Sequence, residues 1–351
     1  MINIRERMVM LKNFLFPSKA VAFAHNYFIT SEPQELRDCE NSFQGLLKLP
    51  EGQVIIFDLW GRNLKLDIKS KNAYPLRLEN PFNDKFGETP RIKELQEDNF
   101  IYSIITKLDD KIFLKVRRKI KDLNIGDALK IAREISKYRK VYSNVYGQAP
   151  MLPLSNAIRA AIIEKYLPKG SKVLHIGDND ALSIILSKLG YEPFVIDIDD
   201  YVCWFLKKLA EKFDVKVRVG RIDVRLPFKI DTMFDAFITD PEHTVACLLV
   251  FVLRGLQFTK KGGFGFISWE SNIFQRRYLS AIIKRYNLKK IELRKKILYY
   301  LSPLKTFYEH MKSFRKKDIG FSIPKWKADF WVVKKEKDIN YLNKEFTISL
   351  Y

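Results

Sequence analysis

"KVLHIGDNDALSIILSKLG", residues 172–190, decides the fold. An apolar run (Val173, Leu174, Ile176) leads into Gly177, and a helical pattern follows until Gly190 stops it. A short apolar run bounded by glycine reads as a buried strand, and a glycine just past a helical pattern is a natural C-terminal cap. A strand, a glycine turn and a helix in that order open many nucleotide-binding sheets, where several glycines let the backbone approach the ligand. Here a single glycine is followed by Asp178, Asn179 and Asp180, so two carboxylates stand where small residues are expected.

Outward from this stretch the alternation is regular. "PFVIDID" (193–199), "VKVRVGRI" (215–222), "FDAFITD" (234–240) and "GGFGFISW" (262–269) read as strands. Between and after them, "DYVCWFLKKLAEKF" (200–213), "TVACLLVFVLRGLQF" (244–258) and "IFQRRYLSAIIKRY" (273–286) read as helices. Strands alternating with helices of this length imply a parallel sheet covered on both faces. "KKIELRKKIL" (289–298) and "ADFWVVKK" (328–335) read as an antiparallel pair joined by a long insertion, roughly 299–327. The expected fold is α/β: a doubly wound, seven-stranded, Rossmann-like sheet of the S-adenosylmethionine-dependent transferase type.

A smaller α+β domain is expected before it, over residues 1–146, with the catalytic domain over 147–351. "GQVIIFDLWGRNLKLDIKS" (52–70) reads as a β-hairpin turning near Gly61-Arg62-Asn63. "FIYSIITKLDDKIFLKVRRKI" (100–120) reads as a second hairpin turning at Asp109-Asp110, and "IGDALKIAREISKYRKVY" (125–142) as an amphipathic helix. The boundary falls in "YSNVYGQAPMLPLS" (142–155), rich in turn formers, before the helix "NAIRAAIIEKYL" (156–167).

The chain has 351 residues, 47% of them hydrophobic, enough for a substantial core. Cys39, Cys203 and Cys247 lie far apart and fit neither a disulfide framework nor a zinc site, which favours a reducing cytoplasm. Four scattered histidines add no metal signature, so no metal is expected. The longest apolar run, "VACLLVFVL" from Val245, is too short to span a bilayer, and no membrane association is expected. The net charge of +21 is uneven: 26 Lys+Arg against 19 Asp+Glu over 1–150, 16 against 15 over 151–270, and 20 against 7 over 271–351. A basic C-terminal region could track phosphates; Lys-rich, Ile-rich composition is equally that of a thermophile protein. The near-neutral middle is where the chemistry is expected.

In an open parallel sheet, ligands bind outside the carboxyl ends of the strands. Asp178 and Asp180 follow the first strand, Asp197 and Asp199 end the second, Asp223 follows the third and Asp240 ends the fourth. Any one of them could be a turn residue or helix cap, Asp180 and Asp200 especially. Carboxylates at four successive strand ends are harder to explain that way, and together they make a negative site that selects cations. Asp197 lies twenty residues after Gly177, the usual distance to a carboxylate that holds ribose hydroxyls. An anionic first loop would repel a ligand carboxylate and attract an ammonium.

At these residues the chain resembles the branched-chain polyamine synthases, the N(4)-bis(aminopropyl)spermidine synthase family of archaea and thermophilic bacteria. That family has a Gly-Asp-Asp-Asp loop, a Leu-Asp-Ile-Asp strand end and an Asp-Pro-Pro-Glu-Thr motif. The matching stretches are "GDND" (177–180), "IDID" (196–199) and "DPEHT" (240–244), and "FVLRGL", "SWESN" and "GQAPMLP" are also similar. The resemblance covers roughly 147–275. It implies aminopropyl transfer from decarboxylated S-adenosylmethionine to a nitrogen of a polyamine such as spermidine. It further implies Asp178 and Asp180 at the acceptor amine, with Asp180 as base, and Asp240 and Glu242 flanking the reacting centre. Gly177, Asp197, Asp199, Asp223 and Asp240 would hold the adenosyl group, Asp197 at ribose and Asp223 at adenine. Two departures stand out: Asn179 replaces the middle aspartate, and Glu242-His243 stand where the family has Pro-Glu.

Two other readings compete. One is an S-adenosylmethionine-dependent methyltransferase acting on RNA through the basic C-terminal region, where "ELRKKILYY" and "PKWKADFWVVKK" mix cations with rings. The other is a non-catalytic homologue, for which the altered "DPEHT" is the argument. The expected partners are accordingly a polyamine, RNA in the second reading, and a second copy of the chain as a homodimer.

Overall fold

The computed structural model describes residues 21–24, 27–30, 53–58, 63–70, 95, 97, 99–138, 151–225, 228–241, 245–270, 273–300, 327–338 and 344–350. Five strands form one sheet: β1 (Val21–Ala24), β2 (Tyr27–Thr30), β3 (Gln53–Asp58), β4 (Asn63–Ser70) and β12 (Lys344–Leu350). All its pairings are antiparallel, and the last strand lies against β4, so two distant parts of the chain build one sheet. The hairpin expected over 52–70 is β3 and β4.

The second sheet holds seven strands: β5 (Lys172–Ile176), β6 (Glu192–Asp197), β7 (Arg218–Arg221), β8 (Phe234–Thr239), β9 (Thr259–Glu270), β10 (Leu288–Tyr299) and β11 (Lys327–Lys335). Their order is β10-β11-β9-β8-β5-β6-β7, parallel except for β11, which runs antiparallel to both neighbours. This is the expected doubly wound sheet. Seven helices accompany it among the described residues: α1 (Asn99–Val116), α2 (Gly126–Ser136), α3 (Pro153–Tyr166), α4 (Leu182–Lys188), α5 (Asp200–Lys212), α6 (Val245–Phe258) and α7 (Ile273–Arg285).

Alternate strand residues feed two cores, as the two-residue period requires. Val173, Val195, Ala236, Ile238 and Phe266 face the helices α3, α4 and α5, with α1 and α2 packed into the same cluster. Leu174, Ile196, Phe237, Ile267 and Trp331 face α6 and α7. The second face is packed to contact: a Cβ on Gly255 of α6 would sit 2.2 Å from the Phe237 ring, and one on Gly265 of β9 2.4 Å from it. The Phe237 ring therefore occupies the space that those glycines leave.

Residues 99–116 overturn the second expected hairpin. They form a helix, and Ile105, Leu108, Ile112 and Val116 are buried at three- and four-residue spacing. The Asp109-Asp110 pair suggests a turn between strands; the 3.6-residue period of the buried positions makes a helix instead. Asp109, expected in a turn, is buried and accepts from the Leu154 amide at 3.1 and 3.2 Å, capping the start of α3. The helix expected from residue 156 thus begins at Pro153, where proline tolerates the first turn.

The buried Asp329 of β11 accepts from Arg276 of α7 and from the Lys296 amide at 2.7 Å. Lys296 has φ 52° within an irregular stretch of the β10–β11 register, between Arg294 and Leu298. A buried carboxylate thus holds an interruption in the ladder that ordinary pairing would leave unsatisfied.

Candidate active site

The register of the sheet sets the site. Ile176 is level with Ile196 on one side and Thr239 on the other, so Gly177, Asp197 and Asp240 leave the sheet in one row. With strands about 4.8 Å apart, Asp197 and Asp240 flank Gly177 at roughly 10 Å from each other. The buried Thr239 hydroxyl donates to the Ile176 carbonyl at 3.1 Å and fastens this level. Gly177 has φ 73°, which an L side chain rarely adopts, while the space around it is ordinary. Its conformation rather than crowding calls for glycine.

The two aspartates of the first loop point to different places. Asp178 turns onto α4, and its carboxylate oxygens accept from the Leu182 and Ser183 amides at 2.9 Å each. The chain turns there through Ala181, whose φ of 56° is unusual for alanine. Burial pushes the Asp178 carboxyl up, but the His175 ring 3.7 Å away and the donors of Ser183 outweigh it and hold the group below the ordinary carboxylate range. Asp180, a candidate helix cap by its position, turns away from α4. It accepts from the Met151 amide at 2.9 Å and faces the buried Arg159 of α3 at 3.6 Å.

Asp197 lies beneath both. One oxygen accepts from the Asp199 amide at 2.9 Å and the other from the Asp178 amide at 3.3 Å. Burial, followed by the neighbouring Asp199 and Asp178 charges, outweighs those two amides and pushes its carboxyl up to about 7. Asp199 caps α5 by accepting from the Tyr201 amide at 2.9 Å. The side chain of Asp200 lies outside the described residues.

Asp223, beyond β7, is half-buried and gripped by Arg225, whose Nε and Nη2 reach its two oxygens at 2.9 and 2.7 Å. The same loop is held from below by Arg254 of α6. This fully buried guanidinium donates to the Val224 carbonyl at 2.7 Å and the Arg225 carbonyl at 3.4 Å, and burial pushes its pKa down to about 9. Asp240 accepts from the hydroxyl of the buried Tyr300 at 2.7 Å. Glu242 and His243 lie outside the described residues.

Arg159, His175 and Tyr300 escaped the sequence reading. An arginine inside "AIRAAII" and a histidine inside "KVLHIG" were visible as polar residues in apolar runs, which ask for a buried partner. Tyr300 carried no such signal. Tyr299, Tyr300, Phe330 and Trp331 are all buried, so these rings belong to the core and not to a stacking surface. Among the described residues no cluster of three or more His, Cys, Asp or Glu could hold a metal ion, and no helix is long and apolar enough to cross a membrane.

Each strand-end carboxylate meets a protein partner: Asp178 the α4 amides, Asp180 the Met151 amide and Arg159, Asp197 the Asp178 and Asp199 amides, Asp223 Arg225, and Asp240 the Tyr300 hydroxyl. The first amides of α4, which could otherwise hold an anion, are already occupied by Asp178. The family described as the branched-chain polyamine synthase A C-terminal domain matches residues 127–345. An N(4)-bis(aminopropyl)spermidine synthase of Methanocaldococcus jannaschii is 34% identical over 176 residues, 47% of this chain and 50% of that protein. One of the same name from Thermococcus kodakarensis is 29% identical over 168 residues, 45% of this chain and 48% of that protein. The matched stretch thus spans about half the length of these relatives. The branched-chain polyamine synthase of Thermus thermophilus, solved with N4-aminopropylspermidine and 5'-methylthioadenosine, superposes with a TM-score of 0.53. That superposition covers 62% of this chain and 66% of the other at 20% identity, a likeness of fold.

Proposed function

Because the chain belongs to the branched-chain polyamine synthase A C-terminal domain family, we propose that it moves the aminopropyl group of decarboxylated S-adenosylmethionine to a nitrogen of a polyamine such as spermidine. The observation that carries the choice of donor is the seating of Asp178 on the start of α4. Intact S-adenosylmethionine bears a carboxylate, which would find those amides taken and a carboxylate beside them. The decarboxylated donor presents only an ammonium at that end. An uncompensated carboxylate brought against desolvated carboxylates is disfavoured by several kcal/mol.

In the transfer, the amine nitrogen attacks the aminopropyl carbon bonded to sulfur. The carbon–sulfur bond breaks, 5'-methylthioadenosine leaves with the electron pair, and the amine proton passes to a base. The sulfonium is already activated, so the protein's task is alignment and removal of that proton. Asp180 serves as the base, and Asp240 and Glu242 hold ammonium groups near the reacting centre. Asp197 receives the ribose hydroxyls, with Gly177 allowing close backbone approach and Asp199 fixing the neighbouring helix start. Asp223 takes the adenine amino group once Arg225 swings aside. Asp178, which the resemblance assigns to the acceptor amine, shapes the donor end from its seat on α4.

Calorimetric binding of the two donors, side by side, tests this. The decarboxylated form is expected to bind at least tenfold tighter, a difference of about 1.4 kcal/mol or more. Preference for the intact cofactor would overturn the reading in favour of methyl transfer, with RNA as the first acceptor to try. Binding of neither would leave the non-catalytic reading.

A further inference from the structure

The end of β10 is joined to the segment ahead of α3 by a small set of buried bonds. Tyr300 and Met151 form an isolated antiparallel bridge. Beside it, the Leu152 amide donates to the Tyr299 carbonyl at 2.9 Å and the Tyr299 amide donates to Ser155 Oγ at 2.8 Å. Each member of the bridge also holds one of the strand-end carboxylates. The Met151 amide donates to Asp180 at 2.9 Å, and the Tyr300 hydroxyl donates to Asp240 at 2.7 Å. Met151 and Tyr300 are 1% and 3% exposed, so both donors are buried, as is Asp180, while Asp240 is partly exposed.

We propose that Tyr300 is a positioning residue for the amine acceptor: its hydroxyl aims Asp240 while its backbone bridge to Met151 fixes Asp180, so that one mount sets the geometry of both carboxylates. The inference rests on the aminopropyl-transfer reading of the site and adds to it a residue that touches neither reactant. Its physical basis is that a hydrogen bond from a buried hydroxyl to an ionised oxygen is strong and directional. Burial, then the Asp240 charge, pushes the Tyr300 hydroxyl well above the ordinary phenol range, so it remains a donor across the working pH range. A linear polyamine presents ammonium groups at fixed intervals along its chain. Two carboxylates held at a set spacing would discriminate such a chain from a single cation.

The test is a double-mutant cycle on spermidine binding and turnover. Tyr300→Phe keeps the ring and the bridge and removes only the hydroxyl. It is expected to weaken spermidine binding and lower kcat/KM about 10- to 100-fold, the range for a hydrogen bond to a charged group, while changing donor affinity less than about twofold. The Tyr300→Phe/Asp240→Asn double variant is expected to bind spermidine no worse than Asp240→Asn, because the hydroxyl acts through that carboxylate. Unchanged spermidine affinity in Tyr300→Phe, or fully additive losses, would overturn the proposal. Binding is read calorimetrically, so the cycle needs no turnover. Coupled spermidine binding without aminopropyl transfer would sink the transfer reading and leave the mount standing. Transfer with additive losses would do the reverse, and a parent that binds no spermidine would remove both.

Discussion

The loops after β5 and β7 hold their aspartates in opposite ways. Asp178 is buried and satisfied by two backbone amides of the helix that follows it. Asp223 is half-buried and satisfied chiefly by a side chain, the fork of Arg225. Backbone amides cannot swing away without unwinding α4, whereas an arginine half-exposed to solvent can change rotamer at small cost. The first loop is therefore preformed, and the third can exchange its partner, as the proposed adenine role of Asp223 requires. Similar aspartates in equivalent loops play different parts because of what satisfies them.

Asp197 lies against the first loop and gives the largest expected effect on that comparison. Its folded-state pKa of about 7 exceeds the unfolded value near 4, so the protonated form favours the fold. Its contribution to stability is complete below about pH 4 and is lost as pH rises through about 7. Asp109, likewise pushed up to about 7, first by burial, titrates in the same window, so the useful quantity is a difference between two proteins. The stability of the parent minus that of Asp197→Asn should fall by ~1.4 kcal/mol per pH unit between pH 4 and 7, ~4 kcal/mol in all. Urea denaturation from pH 4 to 8 measures it; a flat difference would show that this carboxyl ionises without penalty.

Next in size is the contrast itself. Asp178→Ala removes two hydrogen bonds to a buried carboxylate and leaves two amides unsatisfied, for a loss of about 3 kcal/mol. Asp223→Ala should lose less than about 1 kcal/mol. Equal losses in urea denaturation would erase the distinction between the two loops. The smallest effect sharpens it: Arg225→Met frees Asp223 and should strengthen adenosyl-ligand binding by up to about fivefold in calorimetry, the equivalent of a surface ion pair. Weakened binding would mean that Arg225 contacts the ligand.

Much of this was legible in the sequence between 171 and 270, where strands and helices alternate with the periods their burial demands. The row of Gly177, Asp197 and Asp240 followed from strand ends. The destination of each carboxylate did not follow. Asp178 and not Asp180 holds the start of α4, and nothing in "GDND" says which aspartate turns inward; the left-handed Ala181 decides it. Nor could spacing reveal that Tyr300 would meet Asp240 from sixty residues away. Residues 100–116 misled because isoleucine serves both strands and helices, and Asp109-Asp110 mimics a turn. Only their burial every third or fourth residue, against α3, separates the two readings.

The pairing of β12 with β4 has a consequence in time. Strand β4 ends at Ser70, and the strand that covers its outer edge begins at Lys344. At about 5–20 residues per second of synthesis, that edge waits on the order of half a minute for its partner. Meanwhile its unpaired amides and carbonyls are a template for any other extended chain, a neighbouring nascent copy included. The seven-stranded sheet, whose strands arise consecutively, carries no comparable delay before β10. On the ribosome, the five-stranded sheet is therefore the part of the molecule most exposed to chaperones and to misassembly.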